Sequence, residues 1–253
     1  MQQNRDMGIT DIRTRKNHVC YGMGLGVVLV ADDYPGFPGD VRNASAYGCP
    51  VQFEIAEGVS EEALLSDPAS CGASVAQAAK KLERMGCRAI AGECGWFAYF
   101  QKDVAKQVSV PVFMSSLLQV PFAQQLISPD SLIGIVTSAK RALTDEMLRS
   151  VDIDPKSNIV IAGADEFGCT EFDRQYSSPG EANFEKAQDQ IVRACVDFVG
   201  ANPKIGALLL TCTGFPPYTR AIQRAVDLPV FTWGTMLDYA YSVVVHRDYY
   251  GHV

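Results

Sequence analysis

Residues 205–231 read IGALLLTCTGFPPYTRAIQRAVDLPVF. Residues 207–210 form a short apolar run, the pattern of a buried strand. The run stops at Thr211-Cys212-Thr213-Gly214, turns through Phe215-Pro216-Pro217, and enters a helical stretch over residues 218–226. Residues 228–231 give a second short strand. In an open parallel sheet the carboxyl ends of the strands face the ligand crevice, so this order predicts Cys212 at its mouth. The phrase occurs twice. Ala89-Ile90-Ala91-Gly92-Glu93-Cys94-Gly95 leads into a helical stretch and then Val110-Pro111-Val112-Phe113. Each cysteine precedes its proline by the same interval (111 − 94 and 229 − 212 both equal 17). Two thiols thus stand at matching places in two similar halves.

The rest of the chain fits around these phrases. Residues 1–19 are polar and without period, as in a loose arm. Residues 21–30 read as the first buried strand and 51–55 as the second. Between them, residues 34–50 form a Pro- and Gly-rich loop with the length of a lid or binding loop. Asp67-Pro68 opens a helix that stops at Gly86, with Ala73, Ala76, Leu82 and Met85 on its apolar face. A strand (87–92), a helix (96–108), a strand (110–114) and a helix (116–127) follow. Pro129-Asp130 punctuates the chain, and the order begins again. There is a strand (132–136), a helix (143–151), a strand (158–162), an irregular stretch (167–180) and a helix (181–199). After the opening phrase comes a last helix (235–245) and a tail (248–253).

Alternating strands and helices imply parallel sheets with right-handed crossovers. The expected fold is α/β, with two pseudo-symmetric doubly wound lobes, each with a mainly parallel four-stranded sheet, and the active site in the cleft between them. The first lobe takes residues 18–115 plus 232–253, and the second takes 116–231.

Composition narrows the function. With 253 residues, 47% of them hydrophobic, the chain can bury a large core. A net charge of −7 argues against a nucleic-acid or anionic-membrane surface but leaves room for a small anionic substrate. No apolar run reaches the ~18 residues of a bilayer span, and the opening lacks a signal-peptide core, so the expected compartment is the cytoplasm. The eight cysteines are scattered and form no CxxC pair, unlike a disulfide scaffold. Of three histidines, two lie near the C-terminus, so no metal-ligand cluster is expected. Gly22-Met23-Gly24-Leu25-Gly26 is superficially like a dinucleotide loop, but it precedes or sits inside the first strand and is rejected as one. A homo-oligomer is compatible with the sequence.

Cysteine suits acid–base work because its ordinary pKa, about 8.5, lies within reach of tuning and its thiolate gains from a helix N-terminus. Cys94 and Cys212 each precede an expected helix. Two such groups on opposite faces of one carbon remove a proton from one side and return it from the other. The carbanion needs donors aimed at the substrate carboxylate. Thr213, Thr137 and Ser138 stand at expected strand ends for that task; Asn43 and Arg42 in the Pro-Gly loop either approach from the first lobe or cap the loop's own backbone. Gly95 and Gly214, beside the thiols, complete the substrate-binding set. Trp96 and Phe215 read as pocket wall or core; the other six cysteines read as small buried residues, Cys49 least clearly because it lies in the lid-like loop.

TCTGFP resembles the second-cysteine motif of the aspartate/glutamate racemase superfamily. AIAGECG is similar to its first-cysteine strand, and GIVTSA to its mid-chain strand ending in a carboxylate-binding Thr or Ser. The superfamily includes hydantoin racemases, arylmalonate decarboxylases and maleate isomerases. The resemblance implies cofactor-independent chemistry, with Cys94 and Cys212 as the acid/base pair and Thr213, Thr137 and Ser138 holding a carboxylate. Two departures weigh against plain aspartate or glutamate as substrate. Gly95-Trp96 stands where amino-acid racemases usually carry Asn-Thr, and Gly214 where a His is common. The expected enzyme is an isomerase, a racemase or epimerase acting on a small carboxylate or ring amide. The alternatives are a decarboxylase of a substituted malonate, a maleate-type cis–trans isomerase, or a non-catalytic small-anion-binding protein.

Overall fold

A computed structural model describes residues 13, 14, 16, 18–177 and 180–247. Most of the expected polar arm, and the tail over 248–253, lie outside the described residues. Among those residues, eight strands make two sheets of four, every neighbouring pair parallel. The first sheet contains β1 (Leu25–Leu29), β2 (Val51–Ile55), β3 (Ala89–Gly92) and β4 (Val112–Phe113) in the order β2-β1-β3-β4. The second contains β5 (Leu132–Thr137), β6 (Ile159–Gly163), β7 (Ile205–Leu210) and β8 (Val230–Phe231) in the order β6-β5-β7-β8. The permutation is identical in the two halves. In each, the strand order reverses beside the first strand, where an α/β sheet opens its ligand crevice.

The register shows how close the repetition is. Ile90 pairs with Val112 on the edge strand of the first sheet, and Leu208 with Val230 on that of the second. Each thiol lies the same distance past the paired residue (94 − 90 and 212 − 208 both equal 4). The equal spacing read in the sequence is therefore an equal height above two equivalent sheets.

Side chains alternate across each strand and feed two cores. Val28 and Ile90 face Val75, Ala79 and Leu82 of α2 (Pro68–Arg84). Leu25, Val27, Ala89 and Ala91 face Trp233, Met236 and Ala240 of α9 (Trp233–Val244). A methyl group on Gly26 would stand 2.9 Å from the Leu82 Cβ and 3.0 Å from the Cys87 Sγ, so glycine is what lets α2 lie this close to β1. In the second lobe Val136, Leu208 and Leu210 face Ile191, Cys195 and Phe198 of α7 (Phe184–Ala201). Ile133, Ile135, Ala207 and Leu209, on the opposite face, join Leu117 and Val120 in the same cluster as α2. That continuous apolar cluster links the lobes. Each fully buried Val, Leu or Ile is worth roughly 1.5–3 kcal/mol.

Several elements differ from their expected bounds. β1 begins at Leu25, not residue 21, because Gly22 turns the chain at φ +85°. The helix expected over 96–108 is a 3-10 turn, Gly95–Phe100, followed by α3 (Gln101–Ala105). Its aromatic run explains the change. A 3-10 turn eclipses side chains three apart, and Phe97 and Phe100 meet edge to face with ring centroids 5.8 Å apart, both buried. A similar turn, Ser116–Gln119, precedes α4 (Val120–Leu126). α2 buries Val75, Ala78 and Ala79, whereas Ala73 is exposed and Met85 only half-buried. Two short helices had no expected counterpart: α1 (Glu61–Ser66) and α6 (Thr170–Gln175). α5 (Asp145–Ser150) and α8 (Thr219–Val226) lie where helices were expected. Among the described residues no helix is long and apolar enough to cross a membrane.

Candidate active site

The carboxyl ends of β3 and β7 face one another across a narrow crevice with about 350 Å³ of empty space, its open mouth included. Val30, Glu61, Glu93, Cys94, Gly95 and Trp96 line one wall. Thr137, Ser138, Thr211, Cys212 and Thr213 line the other. The walls nearly touch: a methyl on Gly95 would lie 3.0 Å from the Thr211 carbonyl oxygen. Both thiols are half-buried and open into this one space.

Six of the nine expected site residues are therefore brought together. Three are not: Arg42 turns instead to the Asp32 carbonyl and to Glu93, and Asn43 and Gly214 lie elsewhere. Asn43 does not line the crevice. It caps the 3-10 turn Ala44–Ala46, its Oδ1 accepting from the Ser45 N–H (3.0 Å) while its Nδ2 donates to the Gly36 carbonyl (3.0 Å). This local Asx arrangement satisfies the side chain within its own loop. Gly214 lies just behind Cys212, where it makes room for Tyr176: a methyl there would fall 1.5 Å from the Tyr176 hydroxyl oxygen. Phe215 is core, stacked on Phe172, whereas Trp96 reaches the crevice.

The two thiols have related but unequal surroundings. Burial is the largest influence on both and pushes each pKa up, that of Cys212 to about 12 and that of Cys94 well above its ordinary value. The lowering expected from a following helix does not prevail, because short 3-10 turns replace the helix starts and desolvation outweighs them. One feature survives symmetrically. The backbone N–H two residues on, Trp96 for Cys94 and Gly214 for Cys212, favours each thiolate. Beyond that the environments part. Glu61 and Glu93 both push the Cys94 thiol further up. Cys212 feels Glu61 and Asp40, but the Tyr176 hydroxyl, 3.9 Å from its sulfur, favours the thiolate.

Behind the crevice the Pro-Gly loop ties the lobes together. The Val41 N–H donates to the Thr213 carbonyl (3.4 Å), and Gln175 Nε2 donates to the Pro35 carbonyl (3.0 Å). Tyr34 packs on Tyr176 (4.7 Å between centroids), and the Arg42 guanidinium lies 3.5 Å from the centre of the Tyr34 ring. Glu93, 1% exposed, accepts from the Tyr34 hydroxyl, the Val30 N–H (3.1 Å) and Arg42 (3.4 Å). Asp40 is fully buried, and burial raises its pKa to about 7.

Four hydroxyl-bearing residues line the crevice. Among the described residues nothing hydrogen-bonds the side-chain oxygens of Thr137, Ser138, Thr211 or Thr213. The Glu61 carboxylate likewise has no hydrogen-bond or ion-pair partner. No group of His, Cys, Asp and Glu among those residues is arranged to hold a metal ion. The site therefore offers two thiols in unequal fields, free hydroxyls to receive an anion, and an unpaired carboxylate.

Glu61 and Tyr176 were not singled out in the sequence. Ser60 followed by Glu61-Glu62 is a helix-start signal that marks α1. Tyr176 carries no local signal, since only the fold brings it to Cys212.

Comparison with known proteins bears on what this site does. Residues 51–236 match the family described as Asp/Glu/Hydantoin racemase. Dimethylsulfoniopropionate lyase 3 of Emiliania huxleyi is 29% identical over 217 residues, covering 82% of this chain and 56% of that protein. A dimethylsulfoniopropionate lyase of Durusdinium sp. clade D is also 29% identical over 217 residues, covering 82% and 70%. The chain thus spans little more than half the length of the first of these relatives. Among solved structures, a mutant arylmalonate decarboxylase in a sulfate-associated form aligns at TM-score 0.58 and 13% identity, covering 87% of this chain and 92% of that one. A glutamate racemase from Bacillus anthracis aligns at TM-score 0.55 and 12% identity, covering 90% and 86%. These structural likenesses speak for the fold alone.

The relatives correct one expectation. An isomerase was expected from the paired thiols, yet the curated relatives bear the name of a lyase. Paired thiols at equal heights do not specify a two-way proton transfer when their surroundings differ as they do here. With the family match running across most of its length and the two-lobed fold beneath it, this chain belongs to the Asp/Glu/hydantoin racemase family.

Proposed function

We propose that the chain is a lyase that eliminates a neutral leaving group from the carbon β to a carboxylate, with dimethylsulfoniopropionate as the substrate class. The observation that carries this reading is the unequal field around the two sulfurs. Cys212, with the Tyr176 hydroxyl and the Gly214 N–H beside it, is the sulfur better able to hold a negative charge. Cys94, beside Glu61 and Glu93, is kept as a thiol. One base and one neutral donor suit a one-way elimination. The names of the curated relatives support the substrate class.

The steps follow from these groups. The substrate carboxylate lies against the free hydroxyls of Thr137, Ser138 and Thr213, which stabilise the enolate-like charge that develops on it. The Cys212 thiolate takes a proton from the carbon next to the carboxylate. The C–H electron pair becomes the new double bond. The bond from the β carbon to sulfur breaks, and its electrons leave with neutral dimethyl sulfide, so the organic product is acrylate. Cys94 keeps its proton and offers its S–H as a hydrogen-bond donor to the substrate carboxylate, and Cys212 later passes the proton it has taken to solvent.

A thiol raised to about 12 is a poor source of thiolate at neutral pH. The substrate itself relieves this. A positive charge about 4 Å from the sulfur, at an effective dielectric of about 20, is worth about 4 kcal/mol, or about three pKa units. That is enough to offset most of the rise that burial imposes on Cys212, so a cationic substrate helps to create the base that consumes it.

The test is direct. Purified protein incubated with dimethylsulfoniopropionate is expected to release dimethyl sulfide, seen by headspace gas chromatography, and acrylate in equal amount, seen by NMR. Absence of both products across pH 6–10 would rule the reading out.

A further inference from the structure

The crevice has two chemically distinct poles. Thr137, Ser138 and Thr213 offer hydroxyls without protein partners on the wall of the second lobe. On the wall of the first lobe the charged lining residues are Glu61 and Glu93, both carboxylates. They are not equivalent. Glu93 is satisfied from within the protein by Arg42, Tyr34 and the Val30 N–H. Glu61 has no such partner.

Glu61 is nonetheless held in place. Its own N–H donates to Asp32 Oδ2 (2.7 Å), and the Ser60 hydroxyl accepts from the Ala63 N–H (3.1 Å), fixing the first turn of α1. Leu64, 3% exposed, anchors the helix to the core beneath. A half-buried carboxylate fixed by its backbone, lining the same crevice as two thiols and with no ion-pair partner, is costly to keep ionised, although Arg42 acts the other way from a distance. Burial and the neighbouring Asp32 and Glu93 raise its pKa to about 7. A cation arriving beside it removes that cost. It also cancels the field that Glu61 exerts on both thiols.

We propose that Glu61 seats the positive group of the substrate and so makes this site selective for onium carboxylates over neutral molecules of the same shape. The inference rests on the lyase reading for the reaction, but not for the binding preference. A substrate with a carboxylate at one end and an onium at the other spans the two poles, with the carbon bearing the acidic hydrogen between them. Glu61 thereby acts as a specificity-determining residue and takes no proton itself.

The test uses two probes that differ by one atom; trimethylamine is a far poorer leaving group than dimethyl sulfide, so the cationic probe stays intact through a titration. 3-(Trimethylammonio)propanoate carries a cationic nitrogen where 4,4-dimethylpentanoate carries a neutral carbon. Titration calorimetry on the intact protein is expected to show the cationic probe binding at least about tenfold more tightly. Glu61→Gln is expected to bring the two within about twofold, and Glu61→Asp, which keeps the charge, to retain part of the preference. Equal binding of the probes by the unaltered protein, or no binding of either, would overturn the proposal without any variant. So would an undiminished preference in Glu61→Gln. The two readings fail separately. A charge preference lost in Glu61→Gln, in a protein that releases no dimethyl sulfide, sinks the lyase and leaves Glu61 standing. Dimethyl sulfide release without a charge preference sinks Glu61 alone.

Discussion

Gly214→Ala tests the packing that sets the two thiols apart. The added methyl would stand 1.5 Å from the Tyr176 hydroxyl oxygen and 2.8 Å from the ring carbon bearing it. An ordinary contact needs more than 3 Å, so the phenol must retreat by roughly 2 Å. It has little room, because its ring lies between Tyr34 (4.7 Å) and Phe172 (5.0 Å). Overpacking of this kind costs roughly 1–3 kcal/mol of stability. The 3.9 Å contact between Tyr176 and the Cys212 sulfur is lost with it. A hydrogen bond to a charged group is worth about 1.5–3 kcal/mol, which predicts a fall in rate of roughly 10- to 100-fold. The assay is dimethyl sulfide release over pH 6–10 beside a thermal melt. Gly214→Ala should lower the melting temperature and move the rise of rate with pH to higher pH. Tyr176→Phe should move the pH profile with little change in melting. If Gly214→Ala keeps both its melting temperature and its rate, Tyr176 does not support Cys212 and the assigned asymmetry is wrong.

Other perturbations reach different parts of the account. Asp40 holds a proton up to about pH 7 when folded, against about 4 for an exposed aspartate, so between those values the folded state binds the extra proton. Stability should therefore fall as pH rises through this window, by up to about 1.4 kcal/mol per pH unit, and level off above it. Urea melts between pH 5 and 8 measure the slope, to which Glu61, also raised to about 7, adds in the same direction; Asp40→Asn should remove the Asp40 share and roughly halve it. Arg42→Ala strips the buried Glu93 of its cation and should cost about 3–5 kcal/mol in chemical denaturation, most of it recovered by adding Glu93→Gln. Thr213→Val removes one free hydroxyl and should raise KM about tenfold with little change in melting temperature. A KM unchanged by that substitution would remove Thr213 from the carboxylate pole.

The parts of this molecule that repeat were legible from residues alone. Cys94 and Cys212, with Pro111 and Pro229 at equal spacing, disclose two equivalent strand-turn-strand units, and the register bears the spacing out. Thr137 and Ser138 could be placed because they end an apolar run, and strand ends face the crevice. What escaped was short or non-local. α1 and α6 have six residues each, too few to show a helical period against their flanks. Their contributions, Glu61 and Tyr176, depend on tertiary placement. Asn43 had two readings from its place in a lid-like loop, substrate contact and capping of the loop's own backbone, and the local bond prevails. The thiol pKa values went against the helix-start argument because desolvation, invisible in a linear pattern, exceeds what one or two N–H groups return.

The central claim is that the Cys212 sulfur removes the hydrogen next to the carboxylate as the β substituent departs. Dimethylsulfoniopropionate deuterated at that carbon, given to the unaltered protein and to Cys212→Ser, addresses it most directly. The account predicts dimethyl sulfide release that is slower from the deuterated substrate than from the ordinary one, and at least about a thousandfold loss in Cys212→Ser. Release from Cys212→Ser at the full rate would contradict it.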